Sequence, residues 1–129
     1  TAAFADPALG VDVLKVEVPV DLDHVTGFGA PDRSRSEALA AFRDAARPAT
    51  EAGIPFVYLS AGVPFDRFEA SLRLAAEART GAAGFVCGRA LWNEAIPIFG
   101  RDGPEAAEAW LAGEGRARLD RLKAALEGA

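Results

Sequence analysis

Residues 11–19 read Val-Asp-Val-Leu-Lys-Val-Glu-Val-Pro. The β-branched residues favour an extended chain on a pleated surface, and the flanking Gly10 and Pro19 mark its ends. In a strand the side chains alternate, so Val11, Val13, Lys15 and Glu17 share one face while Asp12, Leu14, Val16 and Val18 share the other. A lysine and a glutamate therefore stand side by side in a run that otherwise reads as a buried strand.

Working outward, two more apolar runs, 56–60 and 84–87, are bounded by turn residues and separated from the first by alanine-rich, charge-patterned segments. Ser34-Arg-Ser-Glu37 has the form of a capping box, and Leu39, Phe42 and Ala46 recur at helical spacing. This predicts a helix over 35–47, stopped by Pro48. Phe65, Phe68, Leu72 and Ala76 predict an amphipathic helix over 65–79, with a glycine cap at Thr80-Gly81. The third run leads into a short helix over 90–96, broken by Pro97. Gly103-Pro104 then opens a helical region to 127, interrupted near Gly113 and Gly115. The first ten residues read as the end of a helix running into a turn, and Gly27 to Ala30 as a low-complexity loop.

Strands alternating with helices in this way indicate an α/β fold whose parallel sheet is buried on both faces. Three parallel strands alone leave two unpaired edges, which calls for further chain or a partner copy to cover them. The chain also contains no methionine, so the 129 residues are expected to be a piece of a longer protein, with processing of an N-terminus as the alternative.

Half of the residues are hydrophobic and a quarter charged, as in a globular domain, and no long apolar run suggests a membrane span. The net charge of -5 argues against a nucleic-acid phosphate binder, although a small anion needs only local positive charge. Cys87 is the lone cysteine, so no internal disulfide is available, and no cationic start followed by an apolar run marks a signal peptide; a cytoplasmic setting is the default expectation. Of the 14 Lys plus Arg, only Lys15 and Lys123 are lysines, which makes a lysine inside a strand look chosen for its chemistry.

Burying an ammonium costs desolvation energy, and that cost favours the neutral amine that attacks carbonyls. On periodicity alone the reading stays open, because Lys15 and Glu17 could equally form a buried ion pair, or Lys15 could snorkel to water. The ends of the other two runs narrow the choice. Tyr58-Leu-Ser-Ala-Gly62 ends one strand with a hydroxyl, Ser60, and a glycine, Gly62; Val86-Cys-Gly-Arg-Ala-Leu-Trp92 ends the next with Gly88 and Arg89 ahead of a short helix. Glycine admits a ligand close to backbone N–H groups, and arginine offers a forked donor matched to phosphate oxygens. In (β/α)8 barrels a phosphate site often follows strands 7 and 8, so the order fits strands 6, 7 and 8 of such a barrel.

Through VDVLKVEVPV (11–20), PFVYLSAGV (55–63) and GFVCGRALW (84–92) the sequence resembles the class I tagatose-1,6-bisphosphate aldolase family, and the resemblance extends at lower specificity through most of the chain. It implies the C-terminal three β/α units of a TIM barrel, with Lys15 as the Schiff-base lysine and Ser60, Gly62, Gly88 and Arg89 binding a substrate phosphate. It further implies cleavage of a ketohexose bisphosphate, such as tagatose 1,6-bisphosphate, to glycerone phosphate and glyceraldehyde 3-phosphate. Glu17 is expected to support the lysine, with the general base on strands outside this chain. No cofactor or metal is expected, since the imine takes up the electrons a Lewis acid would otherwise stabilise. The expected partners are the phosphorylated sugar and either the missing barrel strands or a homo-oligomer; the fragment alone is expected to be inactive. The competing readings are an aldolase for another phosphorylated or sulfonated ketose, and a non-catalytic phosphosugar-binding module. His24 reads as a solvent-facing loop residue, Trp92 and Trp110 as core, and Cys87 as a small buried hydrophobe.

Overall fold

A computed structural model describes residues 1–30 and 32–127. Its centre is a three-stranded parallel sheet in the order β1 (Leu14–Glu17), β2 (Phe56–Leu59), β3 (Gly84–Val86). Helices α1 (Arg35–Glu51) and α2 (Phe65–Glu77) make the two crossovers. Beyond β3 come α3 (Arg89–Trp92), α4 (Ala95–Asp102), α5 (Pro104–Trp110), a π-helical turn at Leu111–Gly115 and α6 (Arg116–Leu126), which returns to pack against α2. The α/β reading of the sequence holds, and each strand lies within one of the three apolar runs, but β1 takes only Leu14–Glu17 of the expected 11–18, with Val11, Asp12 and Val13 outside it.

Register decides what each sheet face carries. Leu14 pairs with Phe56, and Val16 with Tyr58 and Phe85, so these side chains form one face. The apolar stripes of α1 and α2 cover it: Phe42 meets Tyr58 edge-on at 5.8 Å between ring centroids, and Phe68 meets Phe85 at 6.1 Å. Phe42, Phe56, Tyr58, Phe68, Leu72 and Leu74 are all fully buried here, each burial stabilising by roughly 1.5–3 kcal/mol. The opposite face carries Lys15 in register with Val57 and Gly84, then Glu17 with Leu59 and Val86. Among the described residues no helix lies over this face; Lys15 and Glu17 are exposed, and Val86 is 48% exposed. The expectation of a sheet buried on both faces is thus corrected: among the described residues helices cover one face only.

Several element ends differ from the sequence expectations for local reasons. Ser34 does form the reciprocal capping box with Glu37, but α1 runs through Pro48 to Glu51. Pro48 sits in the last turns of the helix, and the Thr50 hydroxyl donates to the Arg47 carbonyl at 2.9 Å just beyond it. The helix stops where Gly53 turns left-handed (φ 68°): the Gly53 and Ile54 N–H groups donate back to Thr50 and Ala49. On α2 the left-handed cap is Arg79 (φ 54°), ahead of the expected Gly81, with the N–H groups of Arg79 and Thr80 donating to Ala76 and Ala75. Pro97 does not break a helix; it lies in the first turn of α4, where its missing N–H has no intrahelical acceptor. The interruption at Gly113 and Gly115 takes the form of the π-helical turn. The N-terminal residues form two short 3₁₀ turns, Ala2–Phe4 and Pro7–Leu9, in place of a helix end.

The loop after β1 is more ordered than its glycines suggest. Val25 is fully buried and bridges to Arg33, the Ala30 N–H donates to the Asp23 carbonyl, and Arg67 on α2 donates to the Phe28 carbonyl while pairing with Asp23 at 2.8 Å. The loop thereby becomes a fixed wall beside the C-terminal end of the sheet.

Candidate functional site

Because the strands are parallel, their C-terminal ends gather at one end of the sheet, and the residues singled out from the sequence gather with them. Lys15 and Glu17 project from the open face of β1. Among the described residues Lys15 makes no ion pair, with Glu17 or with any other carboxylate. The buried-pair alternative is therefore not what the structure contains, and neither is the buried lysine, since the side chain is exposed in this chain. Lys15 lies opposite Val57, three residues before Ser60, which places it roughly 10 Å along the strand from the turn at the end of β2.

That turn is built by Ser60, Ala61, Gly62 and Val63, closed by the Val63 N–H donating to the Ser60 carbonyl at 3.0 Å. Ala61 and Gly62 both adopt positive φ, 49° and 83°. Ser60 is buried, and its N–H donates to the Val86 carbonyl, so the turn is tied to the end of β3. Gly88 leads into α3, whose single turn begins with the Leu91 N–H donating to the Gly88 carbonyl at 2.8 Å. With one turn only, α3 adds little dipole, so the positive charge at this end comes from Arg89.

Arg89 is exposed, makes no ion pair among the described residues, and lies against Gly62. A cleft of about 360 Å³ opens there, lined by Gly62, Val63, Pro64, Arg89, Asn93 and Glu94 among others. An unpaired guanidinium over a glycine turn is suited to an anion with several oxygens. Four expected residues, Ser60, Gly62, Gly88 and Arg89, thus belong to the turns at one end of β2 and β3. Val63, Pro64, Asn93 and Glu94 line the same cleft and carry no motif that would have marked them.

Cys87, at the end of β3, is half-buried, and burial pushes its thiol up from the usual range. Tyr58 is pushed up to about 12 by burial beside Thr80. His24 is exposed, as expected, and its pairing with Asp32 at 2.8 Å raises its pKa. The tryptophans depart from expectation. Trp92 is 41% exposed and lines an apolar groove with Ile96, Phe99 and Leu111, while Trp110 is half-buried under the Arg118 guanidinium.

The family description "DeoC/LacD family aldolase" matches residues 1–94, the stretch that holds all three strands, both turns and Arg89. The chain belongs to the DeoC/LacD aldolase family. It is 41% identical over 128 residues to tagatose 1,6-diphosphate aldolase 1 of Streptococcus pyogenes serotype M1, a match covering 98% of this chain and 38% of the relative. Tagatose 1,6-diphosphate aldolase 2 of the same serotype is 40% identical over 126 residues, covering 96% of this chain and 38% of the relative. The family resemblance carried by the three strand motifs is borne out, and this member spans little more than a third of the length of the curated relatives it matches. No helix among the described residues is long and apolar enough to cross a membrane.

Proposed function

We propose that the protein containing this chain is a Schiff-base aldolase acting on a ketohexose bisphosphate such as tagatose 1,6-bisphosphate. The observation that carries this reading is Lys15: a strand lysine with no carboxylate partner among the described residues, on the uncovered sheet face, roughly 10 Å along the strand from the turn that lines the cleft beside Arg89. The names of the tagatose 1,6-diphosphate aldolase relatives support the substrate class.

The 129 residues are read as three consecutive β/α units of a (β/α)8 barrel, with β1, β2 and β3 as strands 6, 7 and 8. Among the described residues both outer strands have an unpaired edge and one sheet face lacks a cover, which supports this reading. In a closed barrel the uncovered face turns inward, and Lys15 and Glu17 enter an enclosed site in which desolvation favours the neutral amine. A cytoplasmic location fits this metabolic role, and the remaining strands or a second copy would cover the edges.

In the reaction, the Lys15 amine attacks the C2 ketone of the sugar, and loss of water gives a protonated imine. Breaking the C3–C4 bond sends its electron pair into the imine, forming an enamine, while a general base outside this chain takes the C4 hydroxyl proton. Glyceraldehyde 3-phosphate leaves first. Protonation of the enamine and hydrolysis then release glycerone phosphate. Glu17, one row further along the same face, stabilises the cationic imine, and Ser60, Gly62, Gly88 and Arg89 hold a phosphate so that the ketone meets the amine.

Steady-state kinetics of the full-length protein on tagatose 1,6-bisphosphate test this division of roles. Lys15→Met should lower kcat by roughly a thousand-fold or more while phosphate still binds, and Arg89→Ala should act mainly on KM. Full turnover in Lys15→Met would refute the reading.

A further inference from the structure

The cleft that contains Arg89 also contains a carboxylate, Glu94. A fixed negative charge beside an anion site opposes binding, and a free carboxylate on the turn following Arg89 is the natural partner to neutralise it. Glu94 is committed elsewhere. Its Oε1 accepts from Arg118 Nη1 at 2.9 Å and its Oε2 from Nη2 at 2.7 Å, a fork-on-fork pair that spans from the start of α4 to α6.

Arg118 is held more firmly than an ordinary surface arginine. Its guanidinium carbon lies 5.0 Å from the centroid of the Phe65 ring and 5.1 Å from that of Trp110, its Nε donates to Glu114 at 2.8 Å, and its side chain is only 13% exposed. Arg118 holds the Glu94 carboxyl below the usual carboxylate range, so Glu94 is charged whenever the protein works near neutrality. Arg89, by contrast, has no ion-pair partner among the described residues.

We propose that Arg118 is a positioning residue for the anion cleft: by drawing the Glu94 carboxylate onto α6, it leaves Arg89 free to bind phosphate. The inference rests on the phosphate reading of Arg89 given above and adds a control on its affinity. Without Arg118, the Glu94 carboxylate turns to Arg89 and competes with the incoming anion. The Glu94–Arg118 pair thereby sets how strongly this end of the sheet binds a phosphorylated substrate.

Calorimetric titration of the full-length protein with inorganic phosphate tests it, using wild type, Arg89→Ala, Arg118→Met and the double variant Arg118→Met/Glu94→Gln, each checked for native circular dichroism. Methionine keeps an apolar body between Phe65 and Trp110 while removing the charge. Arg118→Met should weaken phosphate binding about 3- to 10-fold, and adding Glu94→Gln should restore it to within about twofold of wild type, because the competing charge is gone. Weakening that Glu94→Gln does not reverse would overturn the proposal, since a purely structural or direct role of Arg118 predicts no rescue. Unchanged binding in Arg118→Met alongside weakened binding in Arg89→Ala would also overturn it, while leaving the phosphate site intact. Wild-type binding too weak to detect, with Arg89→Ala no different, would remove the phosphate reading and this inference together.

Discussion

The guanidinium of Arg89 rests on the Cα of Gly62, so closely that a Cβ at Gly62 would stand 2.9 Å from Nη2 and 3.2 Å from Cζ. Through this contact the turns that end β2 and β3 act as one wall of the cleft.

Gly62→Ala therefore disturbs two things at once. A methyl group occupies the space taken by the guanidinium, and a residue with a Cβ is forced into a φ of 83°. We expect a stability loss of about 1–2 kcal/mol by denaturant unfolding, together with phosphate binding weakened about tenfold, the order of one displaced charged contact. An alanine variant that binds phosphate like wild type would show that the packing is incidental to the site.

Arg79 offers the opposite case, a left-handed residue with a side chain. Arg79 adopts φ 54° at the end of α2 and forms no ion pair among the described residues. Arg79→Gly should stabilise the protein by about 0.5–1 kcal/mol, the relief of the Cβ clash outweighing the added freedom of the unfolded chain. The denaturation midpoint should rise with its slope unchanged.

Glu69 on α2 gives a pH dependence of known sign. Its side chain is 8% exposed and is held by Arg121 on α6 and by Arg73 at 2.9 Å, and these contacts, Arg121 foremost, lower its pKa. A carboxyl with a lowered folded-state pKa stabilises the fold above its unfolded value and loses that contribution as pH falls through the folded one. Wild type should exceed Glu69→Gln by about 1–2 kcal/mol at pH 7, a modest figure because both arginines are half-exposed or more. The gap should narrow in acid. A gap that stays constant down to the lowest pH at which the fold persists would contradict the assignment.

The strands, the capping box of α1 and the turn residues Ser60, Gly62, Gly88 and Arg89 were legible because each rests on local chemistry: β-branched runs, a reciprocal Ser–Glu cap, and glycines where the chain turns. The ends of α1 and α2 were not, since α1 carries Pro48 inside its last turns and stops ahead of Gly53, and Arg79 accepts a conformation usually left to glycine. Trp92 misleads for a related reason. Helical spacing marks an apolar stripe but does not say what lies opposite, and here Trp92 faces a groove that stays open. The Glu94–Arg118 pair was invisible because 24 residues separate its members, and only the return of α6 onto α2 brings them together. For Lys15 and Glu17, alternation placed both side chains on one face correctly, whereas their burial depends on what lies over that face.

Borohydride reduction of the full-length protein with glycerone phosphate, read by intact mass and peptide mapping, tests whether Lys15 forms a covalent imine with a ketose phosphate. One reduced adduct per chain is expected, on the peptide containing Lys15, and none in Lys15→Met. Wild-type protein that turns over substrate yet gives no adduct at Lys15, or an adduct that persists in Lys15→Met, would contradict it.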